Sequence, residues 1–280
     1  MVGRWRWFAA GLLTLALLAV PMSSQASARM VPAPVDTRAM WVWSDLTEQV
    51  VEWADQRGVT NIFANVPEGP LSSADLVRLR AAKARAQTLG VTLSALGGDP
   101  HWVLEPARAL NWQRTVEKAR IFAGYHVDVE PYLLPGWETN RTGTATAYLK
   151  LLNSLNKATT LPVEADVPFW LGQFTGAEGN LATATLQRVD SVTVMAYRDT
   201  AAGVWSVSQD WLARGALAGK RVRIGIDTGP NSECGYCTFA TAGATALGAA
   251  MADIDDYSRN APAFSGIAVH HYDAWRDLPA

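Results

Sequence analysis

Cysteine is scarce in this sequence, histidine is rare, and neither basic charge nor low-complexity sequence is in excess. Its 280 residues include two cysteines and four histidines, and the charges sum to −2. Each shortage excludes something. A near-neutral chain lacks the basic footprint of a nucleic-acid partner. Two cysteines, Cys234 and Cys237 in "SECGYCTF", make a poor zinc site. A redox C-x-x-C opens a helix in a thioredoxin-like setting, and nothing around this pair resembles one. The pair therefore reads as a small disulfide stapling a loop. No G-x-G-x-x-G follows the first strand-like segment, and no H-E-x-x-H is present. No cofactor and no metal are expected. Beyond residue 28 no stretch is apolar enough to cross a membrane.

What is present begins with an N-terminal address. Arg4 and Arg6 precede an apolar run over 7–20, and Ala26-Ser27-Ala28 follows. A positive start, an apolar stretch and an A-x-A site are the marks of a signal peptide. Residues 1–28 are read as that peptide, with cleavage after Ala28, export, and no stable membrane insertion afterwards. A Pro-rich linker over 29–36 then leads into one domain, 37–280, expected to act as a monomer. Hydrophobic residues make up 49% of the chain, enough to bury a core, and tryptophan is unusually frequent at 12.

Strand-like segments lie at 38–43, 61–66, 91–96, 125–130, 162–167, 191–197, 221–227 and 266–271. Helix-like segments separate them at 46–57, 73–89, 112–122, 144–158, 183–188, 208–218 and 238–257. Eight strands with helical crossovers predict an α/β fold, a single (β/α)8 barrel with a short or absent last helix. A doubly wound open sheet is the competing architecture.

Alternation assigns the strand faces. In "YHVDVEPY", Val127 and Val129 face the helices, so His126, Asp128 and Glu130 share the inner face. By the same rule Asn61, Phe63, Asn65, Ser94, Glu164, Asp166, Thr193, Tyr197, Arg223, Asp227 and His270 point inward. The expected interior is therefore polar. Buried charges need partners, and Arg223 is expected to pair with Glu164 or Asp166 low in the barrel.

Active sites of such barrels sit at the C-terminal strand ends. Glu130, Asp227, Tyr197 and Asp166 fall there, with Trp43 at the end of the first strand and Tyr272 and Trp275 after the eighth. Asp99, His101 and Trp102 follow the third. Carboxylates ringed by Trp and Tyr suit a carbohydrate: aromatic faces stack on sugar rings, and paired carboxyls do acid and base work on glycosidic bonds. Glu130 is the candidate general acid, its pKa raised by aromatic packing and by Asp128. Asp128 would tune or orient, Tyr197 would hydrogen-bond near the reaction centre, and Asp227 is the candidate second carboxylate. Trp43 and Trp275 are the expected stacking platforms. His126, Asp166 and His270 complete the candidate substrate-binding set.

"GYHVDVEP" resembles the fourth-strand motif of the family-18 glycoside hydrolases, the chitinase group, D-x-x-D-x-D-x-E. Its last D-x-E matches Asp128 and Glu130. "VTVMAYRD" resembles that family's sixth-strand M-x-Y, at Met195 and Tyr197. "SALGG" is similar to its third-strand Ser-Gly-Gly region, and "GIAVHHYDAW" to its eighth strand with a terminal Trp, Trp275. The resemblance implies a general-acid role for Glu130. It also implies that Asp128 orients a substrate acetamido group acting as the nucleophile. The chain departs from the motif at Ala123 and His126, where the first two aspartates stand, and at Arg198, where an Asp follows the tyrosine.

A retaining scheme with a direct carboxylate nucleophile would use Glu130 and Asp227 instead. A glycan-binding barrel that has lost catalysis is the non-enzyme alternative, and Ala123, His126 and Arg198 speak for it. A metal-dependent hydrolase or deacetylase is a third reading, with His101, His126, His270 or His271 joining Asp128 as ligands. In the loop at 133–143, Trp137 would line a subsite or pin the loop.

Overall fold

Short β-branched runs bounded by Gly, Asp and Pro make the strands, and capped amphipathic segments make the helices between them. The computed structural model describes residues 30–280; the expected signal peptide lies outside the described residues. Eight parallel strands close into a barrel: β1 (Arg38–Val42), β2 (Val59–Asn65), β3 (Thr92–Gly97), β4 (Gly124–Val127), β5 (Val163–Pro168), β8 (Ser191–Met195), β9 (Arg221–Asp227) and β10 (Phe264–His270). The order around the barrel is β1-β10-β9-β8-β5-β4-β3-β2. A two-stranded hairpin, β6 (Thr175–Gly176) with β7 (Gly179–Asn180), follows β5 and was not legible in the sequence. The fold is the expected α/β (β/α)8 barrel.

Helices α1 (Glu48–Asp55), α2 (Ser73–Leu89), α3 (Pro106–Ala119), α4 (Gly136–Thr139), α5 (Arg141–Lys157), α6 (Leu181–Leu186), α7 (Ala201–Ala218), α8 (Gly243–Ser258) and α9 (Tyr272–Arg276) cover the outside. Several begin earlier than hydrophobic periodicity suggests, because capping chemistry sets the start. Thr200 accepts from the Gly203 amide and opens α7 seven residues before Ser208. Pro106 occupies the first turn of α3. Asn140 accepts from the Gly143 amide and starts α5, so the expected loop at 133–143 is largely helical. The last helix is short, at five residues.

The two strand faces separate two cores. Met40, Val42, Ile62, Ala64, Val127 and Ile267 join a large core between strands and helices. Ala39, Trp41, Phe63, Leu96 and Ala268 form a second, small core inside the barrel, with Trp43 packed against it. Gly225 leaves room for it: a Cβ there would stand 3.1 Å from the Trp41 ring. Below this plug the interior is polar. Arg223 Nε donates to Glu164 Oε1 at 3.0 Å, and Thr193 also donates to Glu164. Ser94 donates to Asn61 at 3.3 Å. Burial alone would raise the Glu164 carboxyl, but Arg223, together with His126 and Thr193, outweighs it and holds the group below the ordinary glutamate range. The Arg223 partner is thus Glu164; Asp166 is engaged elsewhere.

Candidate active site

The β4 ladder stops at Val127, and the next three residues carry the chain over the barrel mouth. Asp128 keeps one ladder bond, its amide donating to Gly97 O at 3.0 Å. The neighbouring chain passes so close that a Cβ on Gly98 would lie 1.8 Å from the Asp128 carbonyl oxygen, so this position requires glycine. Pro131 then opens a single 3-10 turn, Pro131–Leu133. That turn folds Tyr132 back, and its hydroxyl donates to Glu130 Oε1. Tyr132 was not among the expected site residues. The signal was the proline after Glu130, which favours a turn over a continuing strand.

Electrostatics at the mouth favour protonated carboxyls. Burial, then the charges of Asp166 and Glu130, push the Asp128 carboxyl well above the ordinary aspartate range. Its Oδ1 is shielded from solvent and has no hydrogen-bond partner among the described residues. Burial also raises Glu130, with Asp166 adding to it, while the Tyr132 hydrogen bond opposes the rise. Tyr132 occupies Oε1, which leaves Oε2 as the oxygen free to carry a proton. Tyr197 is raised by burial and by the surrounding carboxylates, so its hydroxyl stays a donor.

Two hydrogen-bonded chains flank these groups, each headed by a tryptophan of β1 or its end. In the deeper chain, Trp41 Nε1 donates to Asp166 Oδ2 at 3.0 Å, and His126 Nε2 meets Asp166 Oδ1 at 2.9 Å. His126 stacks on Phe63, with ring centroids 3.6 Å apart. In the upper chain, Trp43 Nε1 donates to His270 Nε2 at 3.0 Å, and His270 Nδ1 meets Asp227 Oδ1 at 2.9 Å. An indole N–H can only donate, so His270 Nε2 accepts and Nδ1 carries the proton. This fixes His270 as one neutral tautomer. The Gly229 amide also donates to Asp227 Oδ1 at 3.1 Å.

The structure thus brings Glu130, Asp128, Tyr197, Asp227, Trp43 and His270 to one end of the barrel, whereas His126 and Asp166, expected to bind substrate, are sealed in the layer beneath, with side chains 0% and 1% exposed. Trp275 is placed elsewhere. It is 8% exposed and packs edge-on against Trp53 of α1, centroids 5.1 Å apart, in the layer between strands and helices. The chain turns into α9 directly after β10, which carries Trp275 away from the mouth; it is not a stacking platform. Trp137 is buried against Trp170 and Phe174 and pins its loop. Trp43 lines a cleft of about 230 Å³ over the ends of β1–β3, together with Asn65, Glu68, Asp99 and Trp102. There Arg108 pairs with Glu68 at 2.6 Å and Asp99 at 2.7 Å, and Trp102 Nε1 donates to Glu68 at 2.9 Å. Cys234 and Cys237 form a disulfide in the loop after β9. Among the described residues no three His, Cys, Asp or Glu side chains converge as a metal site; His101 sits apart, 60% exposed, on Asp99.

No family model matches the sequence, and no curated protein matches it. Solved structures do match in fold. A GH18 chitinase from Pseudoalteromonas aurantia superposes with a TM-score of 0.60 at 13% identity, covering 84% of this chain and 93% of that one. An endo-beta-N-acetylglucosaminidase from Cordyceps militaris gives 0.55 at 13% identity, covering 85% and 82%. The spore cortex-lytic enzyme SleL of Bacillus cereus gives 0.53 at 10% identity, covering 86% and 72%. At these identities the likeness is one of fold: the closed (β/α)8 barrel is shared with these solved structures.

Proposed function

We propose that this chain is a secreted glycoside hydrolase that cleaves a polysaccharide or glycoconjugate, with Glu130 as general acid. One observation carries the reading: Glu130 stands at the barrel mouth with one oxygen held by Tyr132 and its pKa raised by burial. That is the state a general acid needs near neutral pH. Glu130 gives its proton to the glycosidic oxygen as the bond to the anomeric carbon breaks, and the resulting carboxylate then takes a proton from the incoming water.

The second role divides the two schemes. Asp227 accepts two hydrogen bonds at one oxygen and is tied to His270, which makes it a poor free nucleophile. Burial pushes the Asp128 carboxyl well above the ordinary aspartate range, which favours its protonated form, and one oxygen lacks a partner among the described residues. Such a group suits a substrate acetamido function, whose carbonyl oxygen would attack the anomeric carbon. The endo-beta-N-acetylglucosaminidase among the fold neighbours acts on such sugars by its name, which supports this version. The engaged Asp227 equally suits a glycan-binding barrel without turnover, which is the second reading.

Reducing-end release from a panel of polysaccharides separates them. Wild-type release lost by ~10²-fold or more in Glu130→Gln supports the hydrolase. Binding unaccompanied by release, and unchanged in Glu130→Gln, supports the lectin-like barrel. Export is tested by the N-terminus of the protein recovered outside the cell, expected at Arg29.

A further inference from the structure

Arg198 is the residue that breaks the M-x-Y-D pattern, and the proposed reaction leaves it without a role. It follows Tyr197 directly, in the loop after β8, and is half-buried. One guanidinium nitrogen donates to Tyr197 O at 2.7 Å. Cζ lies over the Phe169 ring, 4.6 Å from its centroid, and 5.7 Å from that of Tyr236. No carboxylate among the described residues pairs with it, whereas Arg108 and Arg141 are each paired. A guanidinium has five donors in a plane. Here only Nη1 has a protein acceptor, and the aromatic contacts leave the in-plane edge for a ligand.

The three residues come from loops after three adjacent staves, β5, β8 and β9. Tyr236 is 63% exposed and sits between the two bonded cysteines, so the disulfide presents it to Arg198. This cationic, aromatic side lies across the barrel from β2 and the Glu68–Asp99 cleft. Burial raises the Asp128 and Glu130 carboxyls, which weakens but does not remove the mouth's repulsion of an anion.

We propose that Arg198, with Phe169 and Tyr236, forms an anion subsite, and that the glycan taken by this barrel carries a carboxylate beside the bond to be cleaved. A carboxylate matches the guanidinium edge in two parallel hydrogen bonds, and the flanking rings pack on the sugar that bears it. The inference rests on the glycan reading of the site.

The test is calorimetric binding in the Glu130→Gln background, with three tetrasaccharides. One is neutral β-1,4-linked N-acetylglucosamine. One carries a 3-O-lactyl carboxylate on alternate residues, and one has alternate uronic acids; these distinguish the two carboxylate sources. At least one acidic glycan is expected to bind roughly 10- to 100-fold more tightly than the neutral one. That preference should shrink with added salt, collapse toward unity in Arg198→Ala, and be partly kept in Arg198→Lys. The salt series needs no variant and so reads the site even if Arg198→Ala misfolds. Equal affinity for neutral and acidic glycans, or a preference that survives Arg198→Ala, overturns the subsite. Glu130-dependent cleavage that treats neutral and acidic glycans alike sinks the subsite alone. Arg198-dependent binding with no cleavage by the wild type sinks the hydrolase and leaves the subsite. Binding of no tetrasaccharide overturns both.

Discussion

Trp41 and Trp43 stand two residues apart on one strand face, and each heads a chain through a histidine and an aspartate. They differ in the order. Trp41 donates to the aspartate, and Trp43 donates to the histidine. In the deep chain both Asp166 oxygens are satisfied and the side chains are sealed, His126 at 0% and Asp166 at 1% exposure. Asp166 helps push Asp128, Glu130 and Tyr197 upward. In the upper chain the indole sets a tautomer, and His270 remains 27% exposed. The same three residue types therefore make a sealed anchor in one place and leave a partly exposed ring in the other.

Removing the anchor should have the largest structural effect. Asp166→Ala leaves the Trp41 N–H and the His126 ring without their acceptor in a sealed interior. A loss of about 3–5 kcal/mol is expected, read as a lower urea midpoint at unchanged slope. Asp227→Ala, in the half-open chain, should cost less than half as much. Equal losses would erase the distinction between the chains.

The tryptophans sharpen it next. Trp41→Phe strands one Asp166 oxygen and should cost about 1–3 kcal/mol. Trp43→Phe should cost under about 1 kcal/mol yet release His270 from its tautomer. Its signature is a changed ring-nitrogen NMR pattern for His270 and an altered pH profile of turnover. A Trp43→Phe protein with wild-type His270 signals would contradict the tautomer assignment.

The smallest effect concerns Asp128 and depends on pH. Its folded pKa is raised above the unfolded value. The folded state therefore binds the proton more tightly, and stability is lost as pH rises from near 4 through the folded pKa. Asp128→Asn removes that dependence. Its melting temperature should match wild type near pH 4 and exceed it at pH 8, by about 2–4 °C per kcal/mol recovered. A variant less stable than wild type at pH 8 would show that Asp128 is ionised in the fold.

Much of this was legible in the sequence because alternation on a strand is strict. Val127 and Val129 against His126 and Asp128, or Val222 and Ile224 against Arg223, leave one choice of face. The Arg223–Glu164 pair follows from that choice and from the cost of an unpaired buried charge. Alternation says nothing about where a strand stops. Trp275 looked like a residue of the eighth strand's end, but the chain had already turned into α9. The column ended at Glu130, and only the turn opened by Pro131 brings Tyr132 back onto it. Trp41 shares the face of Trp43, yet nothing local shows that its indole reaches Asp166, 125 residues away. Such long-range pairings, and the side-chain caps that start α5 and α7, decided the details that periodicity left open.

The central claim is that Glu130 holds a proton and delivers it. The most direct measurement is kcat/KM for hydrolysis of the panel's best substrate as a function of pH, which reports the free enzyme's groups. The raised Glu130 pKa predicts activity sustained in mild acid and falling as pH rises through that pKa, with the alkaline limb moved by Tyr132→Phe. A rate that instead climbs with pH through the same range would mean that Glu130 works as a carboxylate, and would contradict the account.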